Sequence, residues 1–286
     1  MNEHRYLQLD VFADRPGTGN PLAVVVDAEG LDDAAMQAFA QWTNLSETIF
    51  LLPPGNRADY RVRIFTPRQE LPFAGHPSVG AAWAAIDAGI ADSSRSALVQ
   101  DCAAGLLPVC VDERRAISVR APRARCIEAS MADGSVAGAL AGARAGDLAP
   151  ALWDNGPRWW IAELATEADV RGMRPDMAAI TALTRDAAVG FAVFATADAS
   201  SPFDLVVRAF CPADGIPEDP VTGSANAVIA AALADAGRLP GRDGRYVASQ
   251  GREVGRDGRV VVRLDEQGEV WIGGHVLAVI RGSVAW

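Results

Sequence analysis

Apolar and polar positions alternate, or cluster in short apolar runs, along most of this chain, and both patterns are typical of β-strands. Turn residues, chiefly glycine, proline and asparagine, separate the runs. The pattern predicts strands at LQLDVF, LAVVV, ETIFLL, YRVRIF, WWIAEL, VGFAVFA, DLVVRAF, VVVRL, VWIGG and VLAVIRG. Their regular spacing favours antiparallel pairing over repeated βαβ units.

A longer pattern occurs twice, about half of the 286 residues apart. From Val62 and again from Val207 the chain reads V-R-x-F-x-P, a short loop, E-x-P-x-x-G, and then a run of small apolar residues. The first part is typical of a strand that ends at a proline. The second part contains no helix breaker after its first turn and closes at a glycine, which predicts a helix. The repeat therefore indicates that one domain was duplicated.

Both predicted helices, HPSVGAAWAAIDAG and SANAVIAAALADAG, are apolar nearly all the way round, and such a helix must be buried on all sides. We therefore expect an α+β fold of two similar domains, each with a central helix wrapped by sheet. The repeat places the domains at 1–118 and 119–274, and the final strand, 275–286, is expected to return to the first domain.

Composition narrows the chemistry. All 26 basic residues are arginine, so the chain offers no amine for a Schiff base and no lysine for a Walker A phosphate loop. With 36 acidic residues the net charge is −10, which disfavours a nucleic acid partner, because affinity for phosphates needs clustered positive charge.

The cysteines and histidines predict no metal site and no cofactor chemistry of their own. The four cysteines match neither a zinc site nor a redox pair, and the three histidines are scattered along the chain. The segment MNEHRYLQLD lacks the apolar core of a signal peptide, and no apolar run approaches membrane-spanning length. We expect a reduced, soluble, cytoplasmic protein without a membrane partner.

The two predicted helix starts, at Gly75 and at Gly223 and Ser224, are candidates for anion binding. Each presents backbone N–H groups and the positive end of a helix dipole. Facing one another across a cleft, they would hold a substrate carboxylate or an enolate. Either helix start taken alone could be an ordinary capped helix start. The presence of such a start in both halves of the chain favours an anion site.

Two carboxylates lie close to these features. Glu47 directly precedes the strand TIFLL, and Asp219 lies four residues before Gly223. Each would be an ordinary solvated residue of a strand edge or a turn if exposed. If Glu47 is instead half-buried in a cleft, burial would raise its pKa towards a value useful for proton transfer.

Two loops complete the candidate site. Asn20 lies in the turn GNP, and Gln250 and Gly251 begin the glycine-rich segment SQGREVGRDG. Turn chemistry explains most of both segments. A contact with the substrate is the alternative for each.

Taken together, these segments resemble the PhzF-like, or phenazine biosynthesis-like, family, which is related to diaminopimelate epimerase. The resemblance covers essentially the whole chain. It rests on these blocks: PGTGNPLAVV, NLSETIF, TPRQELPFAGHPSVGAAW, FCPADGIPEDPVTGSA and SQGREVGR. The sequence departs from many relatives at Asp257 and Gly258, where Pro-Ser is expected.

The resemblance implies two similar α+β domains, each a curved antiparallel sheet around a central helix, with the active site between them and a homodimer as the assembly. It implies an isomerase without a cofactor, in which Glu47, His76 and Asp219 are catalytic. It further implies substrate contacts at Asn20, Ser46, Gly75, Gly223, Ser224, Gln250 and Gly251. No cysteine stands at the two positions that serve epimerases of this fold, which disfavours a two-thiol mechanism.

The leading hypothesis is therefore an isomerase that moves a proton on a small carboxylic acid, with Glu47 as acid and base. A protein that binds a small anion in the same cleft without chemistry is the alternative. The sequence does not specify the substrate.

Overall fold

The structure is a computed structural model, and it describes residues 3–55, 57–129 and 135–286. The chain divides into two compact units. The first consists of Met1–Arg120 and Gly273–Trp286, and the second of Ala121–Ile272. None of the helices in these described residues is long and apolar enough to cross a membrane.

The described residues of the first unit form nine strands and two helices. They are β1 (Glu3–Val11), β2 (Asn20–Val26), α1 (Asp33–Thr43), β3 (Glu47–Leu52), β4 (Tyr60–Phe65), β5 (Glu70–Leu71), α2 (Gly75–Asp87), β6 (Ala97–Cys102), β7 (Gly105–Val111), β8 (Ile117–Arg120) and, from the end of the chain, β18 (Val276–Ala285).

Most neighbours in this unit pair antiparallel: β1 with β2 and β18, β3 with β4, and β6 with β7. Two pairs are parallel, β2 with β3 and β4 with β6. Parallel strands need a long crossover, and α1 and α2 supply it. The regular spacing of strands along the sequence, which favours antiparallel pairing, does not predict these two parallel pairs.

Helix α2 is the centre of the first unit. All but Trp83, Ile86 and Asp87 of its 13 residues are buried, and it packs against β1, β2, β3, β4 and β8. At Gly80 a side chain would not fit, because a Cβ atom there would lie 2.3 Å from Cδ2 of Leu22. The prediction of a buried central helix is confirmed here, and its small residues bring the backbone of α2 close to the sheet.

In the part of the second unit that the structure describes there are nine strands and four helices. They are β9 (Arg125–Ala129), α3 (Ser135–Leu140), β10 (Ala151–Asp154), β11 (Arg158–Glu163), α4 (Glu167–Gly172), α5 (Met177–Thr184), β12 (Gly190–Thr196), β13 (Leu205–Cys211), β14 (Ile216–Asp219), α6 (Gly223–Asp235), β15 (Arg245–Gln250), β16 (Gly258–Leu264) and β17 (Val270–Gly274), whose last two residues belong to the first unit.

The second unit has the same mixture of pairings. Antiparallel pairs join β12 with β13 and β15 with β16, whereas β11 with β12 and β13 with β15 are parallel across helical connections. Helix α6 is buried along most of its length and packs against β11 and β16. The predicted α+β fold is confirmed.

An arginine and a glutamate account for much of the repeated sequence. In the first unit Arg63 forms two hydrogen bonds with Glu70, 2.8 and 2.6 Å long, and its guanidinium lies 5.1 Å from the centre of the Phe65 ring. In the second unit Arg208 forms the same fork with Glu218, at 2.9 and 2.8 Å. Each fork ties a strand to the segment that leads into the buried helix.

Candidate active site

The start of α2 brings together five residues that the sequence predicts for the site. Strands β2 and β3 run parallel and begin at Asn20 and Glu47, so both residues lie at the same end of the pair. Helix α2 begins beside them with Gly75 and His76, which are buried, and no side chain caps its first turn. Ser46 completes the group.

A chain of polar contacts links these side chains. The Ser46 hydroxyl donates to Oδ1 of Asn20 at 3.1 Å, and Nδ2 of Asn20 lies 3.4 Å from Nδ1 of His76. The other ring nitrogen of His76, Nε2, lies 3.6 Å from Oε2 of Glu47. The side chain of Glu47 is 16% exposed, although its Oε2 atom is buried, so Glu47 lies at the edge of an otherwise buried cluster.

Burial determines the charge of His76. The imidazole is 3% exposed, and loss of hydration lowers its pKa from 6.5 to about 3. The ring is therefore neutral at physiological pH. It can donate or accept a hydrogen bond, but it lacks the second proton and the positive charge of an imidazolium.

This pKa makes stability depend on pH. Between pH 6.5 and 3 this histidine is protonated in the unfolded protein but stays neutral in the folded protein. The free energy of unfolding therefore falls as the pH falls, by up to about 1.4 kcal/mol per pH unit. Urea unfolding at a series of pH values from 6.5 to 5.5 measures this change in the free energy of unfolding. We expect His76→Gln to lose this contribution and His275→Gln, at an exposed position, to retain it. Equal slopes in both variants would contradict the assignment.

Asp10 fixes the loop that leads to Asn20, a role that the sequence alone does not suggest. Its buried carboxylate accepts three backbone hydrogen bonds, from Gly17 at 2.6 Å and from Thr18 and Gly19 at 3.0 Å. A Cβ atom at Gly19 would lie 2.1 Å from the carbonyl oxygen of Val11, so the loop passes too close to β1 for a side chain.

The start of α6 carries the second group of predicted residues. Asp219, at the end of β14, is 8% exposed and accepts a 2.6 Å hydrogen bond from the hydroxyl of Thr222. Thr222 precedes Gly223, and no side chain caps this helix either. The carboxylate therefore lies at the N-terminal end of a buried helix, as expected from the sequence.

Gln250 holds this loop in place. Its carbonyl oxygen accepts from the backbone of Thr222 and from the side chain of Asn226, both at 3.0 Å. Its amide nitrogen donates to the carbonyl of Asp219 at 3.0 Å and to the Thr222 hydroxyl at 2.8 Å. These four bonds satisfy the whole amide, so the geometry gives Gln250 a supporting position behind Asp219.

Two residues that sequence reasoning missed orient Ser224. The indole N–H of Trp159 donates to the Ser224 hydroxyl oxygen, and Nδ2 of Asn155 donates to the Ser224 carbonyl, each at 3.1 Å. Trp159 lies within an apolar strand and Asn155 in a tight turn. The sequence gives no signal that distinguishes either residue from ordinary core and turn residues.

Gly251 and the segment after it are shaped by close packing. Gly251 has a φ of +95°, and a Cβ atom there would lie 2.4 Å from the carbonyl oxygen of Pro220. Further on, Asp257 accepts from Arg252 at 2.7 Å and from Arg259 at 2.9 Å. Arg252 and Arg259 therefore pair with a carboxylate of the segment itself.

The structure thus assembles the predicted residues in two groups, one in each unit. Asn20, Ser46, Glu47, Gly75 and His76 belong to the first unit. Asp219, Gly223, Ser224, Gln250 and Gly251 belong to the second. Within the described part of the chain, no three histidine, cysteine, aspartate or glutamate side chains gather as a metal site would require.

The two α+β units, each built around a buried central helix, have the fold of epimerase-like isomerases. A solved structure described as a "predicted epimerase" from Pseudomonas aeruginosa shares this fold. Its TM-score is 0.77 at 31% sequence identity, and the match covers 99% of each chain.

Within this class the chain belongs to the phenazine biosynthesis-like protein family, whose model matches residues 9–282. A trans-2,3-dihydro-3-hydroxyanthranilate isomerase from Pseudomonas aeruginosa is 34% identical over 83% of this chain and 82% of its own. Antisense-enhancing sequence 1 from Schizosaccharomyces pombe is 32% identical over 99% of both chains. The family and the relatives support an isomerase.

Proposed function

We propose that this isomerase moves a proton on a small carboxylic acid, with Glu47 as the group that removes and returns it. The observation that carries the proposal is the position of Glu47, whose side chain is 16% exposed and lies beside a buried, neutral imidazole at the start of a central helix. Proton transfer needs a carboxylate that reaches its substrate while being partly shielded from water.

In this mechanism both groups of side chains act on the same substrate. Backbone N–H groups at the starts of α2 and α6 hold the substrate carboxylate. Glu47 takes a proton from carbon, and the electron pair of the C–H bond moves into the substrate as an enolate. The protonated Glu47 then returns the proton to another carbon. Inversion at the same carbon instead needs a proton from an acid on the opposite face, because Glu47 on its own face restores the original configuration. No bound cofactor takes part in these steps.

The other side chains stabilise charge and position. Ser224 accepts from Trp159 and keeps its hydroxyl hydrogen for the substrate, while Asp219 lies beside the same helix start. His76 is neutral and contributes a hydrogen bond rather than a positive charge. Preorganised donors of this kind stabilise an enolate more than water would, because they need no reorientation as charge develops.

Incubation in deuterium oxide tests the proposal. The probes are trans-2,3-dihydro-3-hydroxyanthranilate, the compound in the name of the related isomerase, and a metabolite extract rich in small carboxylic acids. We expect mass spectrometry to show deuterium in at least one recovered acid. Thermal stabilisation by an acid without any label would instead support an anion-binding protein and overturn the proposal.

A further inference from the structure

Ser46 contacts Asn20, and Asn20 in turn contacts His76, and this arrangement gives them a role other than touching the substrate. We propose that they are positioning residues that hold His76 in the tautomer with its proton on Nε2. The catalytic meaning of this inference rests on the proposed function, whereas the tautomer itself can be measured without any substrate.

The orientation of the Asn20 amide is the first step. The Ser46 hydroxyl donates to Oδ1 at 3.1 Å, which leaves Nδ2 facing Nδ1 of His76 at 3.4 Å. An amide nitrogen is only a donor, so the nitrogen that it faces must be the acceptor. Nδ1 therefore carries the lone pair, and a neutral ring then has its proton on Nε2.

The carboxylate on the opposite side of the ring favours the same tautomer. Nε2 lies 3.6 Å from Oε2 of Glu47. A proton on Nε2 points a positive N–H dipole at the negative charge, whereas a lone pair there would be repelled by it. Asn20 and Glu47 thus act on the ring in the same direction from its two nitrogens.

The backbone around Asn20 prevents the amide from moving away. Asn20 is fully buried and directly follows Gly19, whose N–H is bound by Asp10 at 3.0 Å. Ser46 lies in the short connection between α1 and β3, where Asn44, the residue that caps the end of α1, has a left-handed conformation with a φ of 52°. Asn20, which faces the imidazole, and Ser46, which orients Asn20, are both held by the backbone geometry of the connections before β2 and β3.

The tautomer gives His76 and Glu47 different chemical roles. A ring with its proton on Nε2 can donate on the side that faces Glu47, but it has no lone pair there to receive a proton from carbon. Burial keeps the ring from binding a second proton at neutral pH. Glu47 is then the base among these side chains, and His76 is a hydrogen-bond donor to Glu47 or to a substrate beside it.

Nuclear magnetic resonance of the intact protein labelled with 15N in its histidine rings tests the inference. The chain has only three histidines, and His76→Gln identifies the signals of His76. At neutral pH we expect an unprotonated Nδ1 and a protonated Nε2. A protonated Nδ1 in the folded wild-type protein would overturn the proposal, whatever any variant does.

Asn20→Asp supplies the second arm. A carboxylate in place of the amide accepts from Nδ1, so we expect the ring to become protonated on Nδ1. Gln69→Glu makes the same chemical change at an exposed position of the first unit and should leave the ring signals as they are. A ring still unprotonated at Nδ1 in a folded Asn20→Asp protein would contradict the positioning role.

Exchange activity distinguishes this inference from the proposed function. If the wild-type protein labels a substrate, Asn20→Asp should lower the exchange rate by about 10- to 100-fold, by analogy with the loss of the partner that orients a metal-bound imidazole. If the wild-type protein labels nothing, the proposed function fails, while the tautomer measured in the ring spectrum still confirms or overturns the role of Ser46 and Asn20.

Discussion

Replacing Glu47 by glutamine should lower the rate of deuterium exchange into the substrate by about 10²- to 10⁴-fold, the range that a positioned acid or base contributes. Glutamine has nearly the shape of glutamate and still fits beside Nε2 of His76, but its amide cannot take a proton from carbon. Substrate affinity should change much less than rate, because the helix starts that hold the carboxylate remain in place. Exchange kinetics with a range of substrate concentrations separate the two quantities.

Glu3→Gln is the matched control. Glu3 is an exposed residue of the same unit, at the start of β1, and its carboxylate accepts a hydrogen bond from Ser283. We expect this variant to exchange at the wild-type rate, which shows that loss of one carboxylate elsewhere does not impair the enzyme. Undiminished exchange in a folded Glu47→Gln protein would remove Glu47 from the mechanism and leave the acid and base to be sought elsewhere in the chain.

The fold could be predicted where the sequence signal is long and periodic. The ten predicted strands and the two buried helices are all present, because each has a continuous apolar pattern of its own. Short elements such as β5, with two residues, carry too little pattern to be seen. The four parallel pairs are set by where the helical connections pack, and alternation along a strand does not contain that information.

Only some residues of the candidate site could be predicted from the sequence. Residues within the repeated segments, such as Gly75 and Gly223, could be found because the same pattern recurs in both halves. Asp10, Asn155 and Trp159 could not, since their roles come from hydrogen bonds to residues distant in sequence. The sequence also does not show that the Gln250 amide is fully used inside its own unit, which only the geometry of four bonds reveals.

The repeated arginine and glutamate yield the largest expected effect on stability. Arg208 and Glu218 are 5% and 7% exposed, and Arg208 also donates to the carbonyls of Val170 and Met173 at 3.2 and 2.6 Å. Arg208→Leu would leave the Glu218 charge buried without its partner, which typically costs about 3–5 kcal/mol. We therefore expect the free energy of unfolding, measured by urea titration, to fall by that amount.

The first unit provides the matched comparison for this prediction. Arg63 and Glu70 form the same fork, but their side chains are 19% and 35% exposed, so water can solvate Glu70 once the arginine is lost. Arg63→Leu should therefore cost about 1 kcal/mol or less, as exposed pairs do. The double variant Arg208→Leu with Glu218→Leu should recover much of the loss, because no unpaired charge then remains buried. If Arg208→Leu and Arg63→Leu lowered the free energy of unfolding by the same amount, burial of the ion pair would not determine its contribution. The fork would then matter for packing alone.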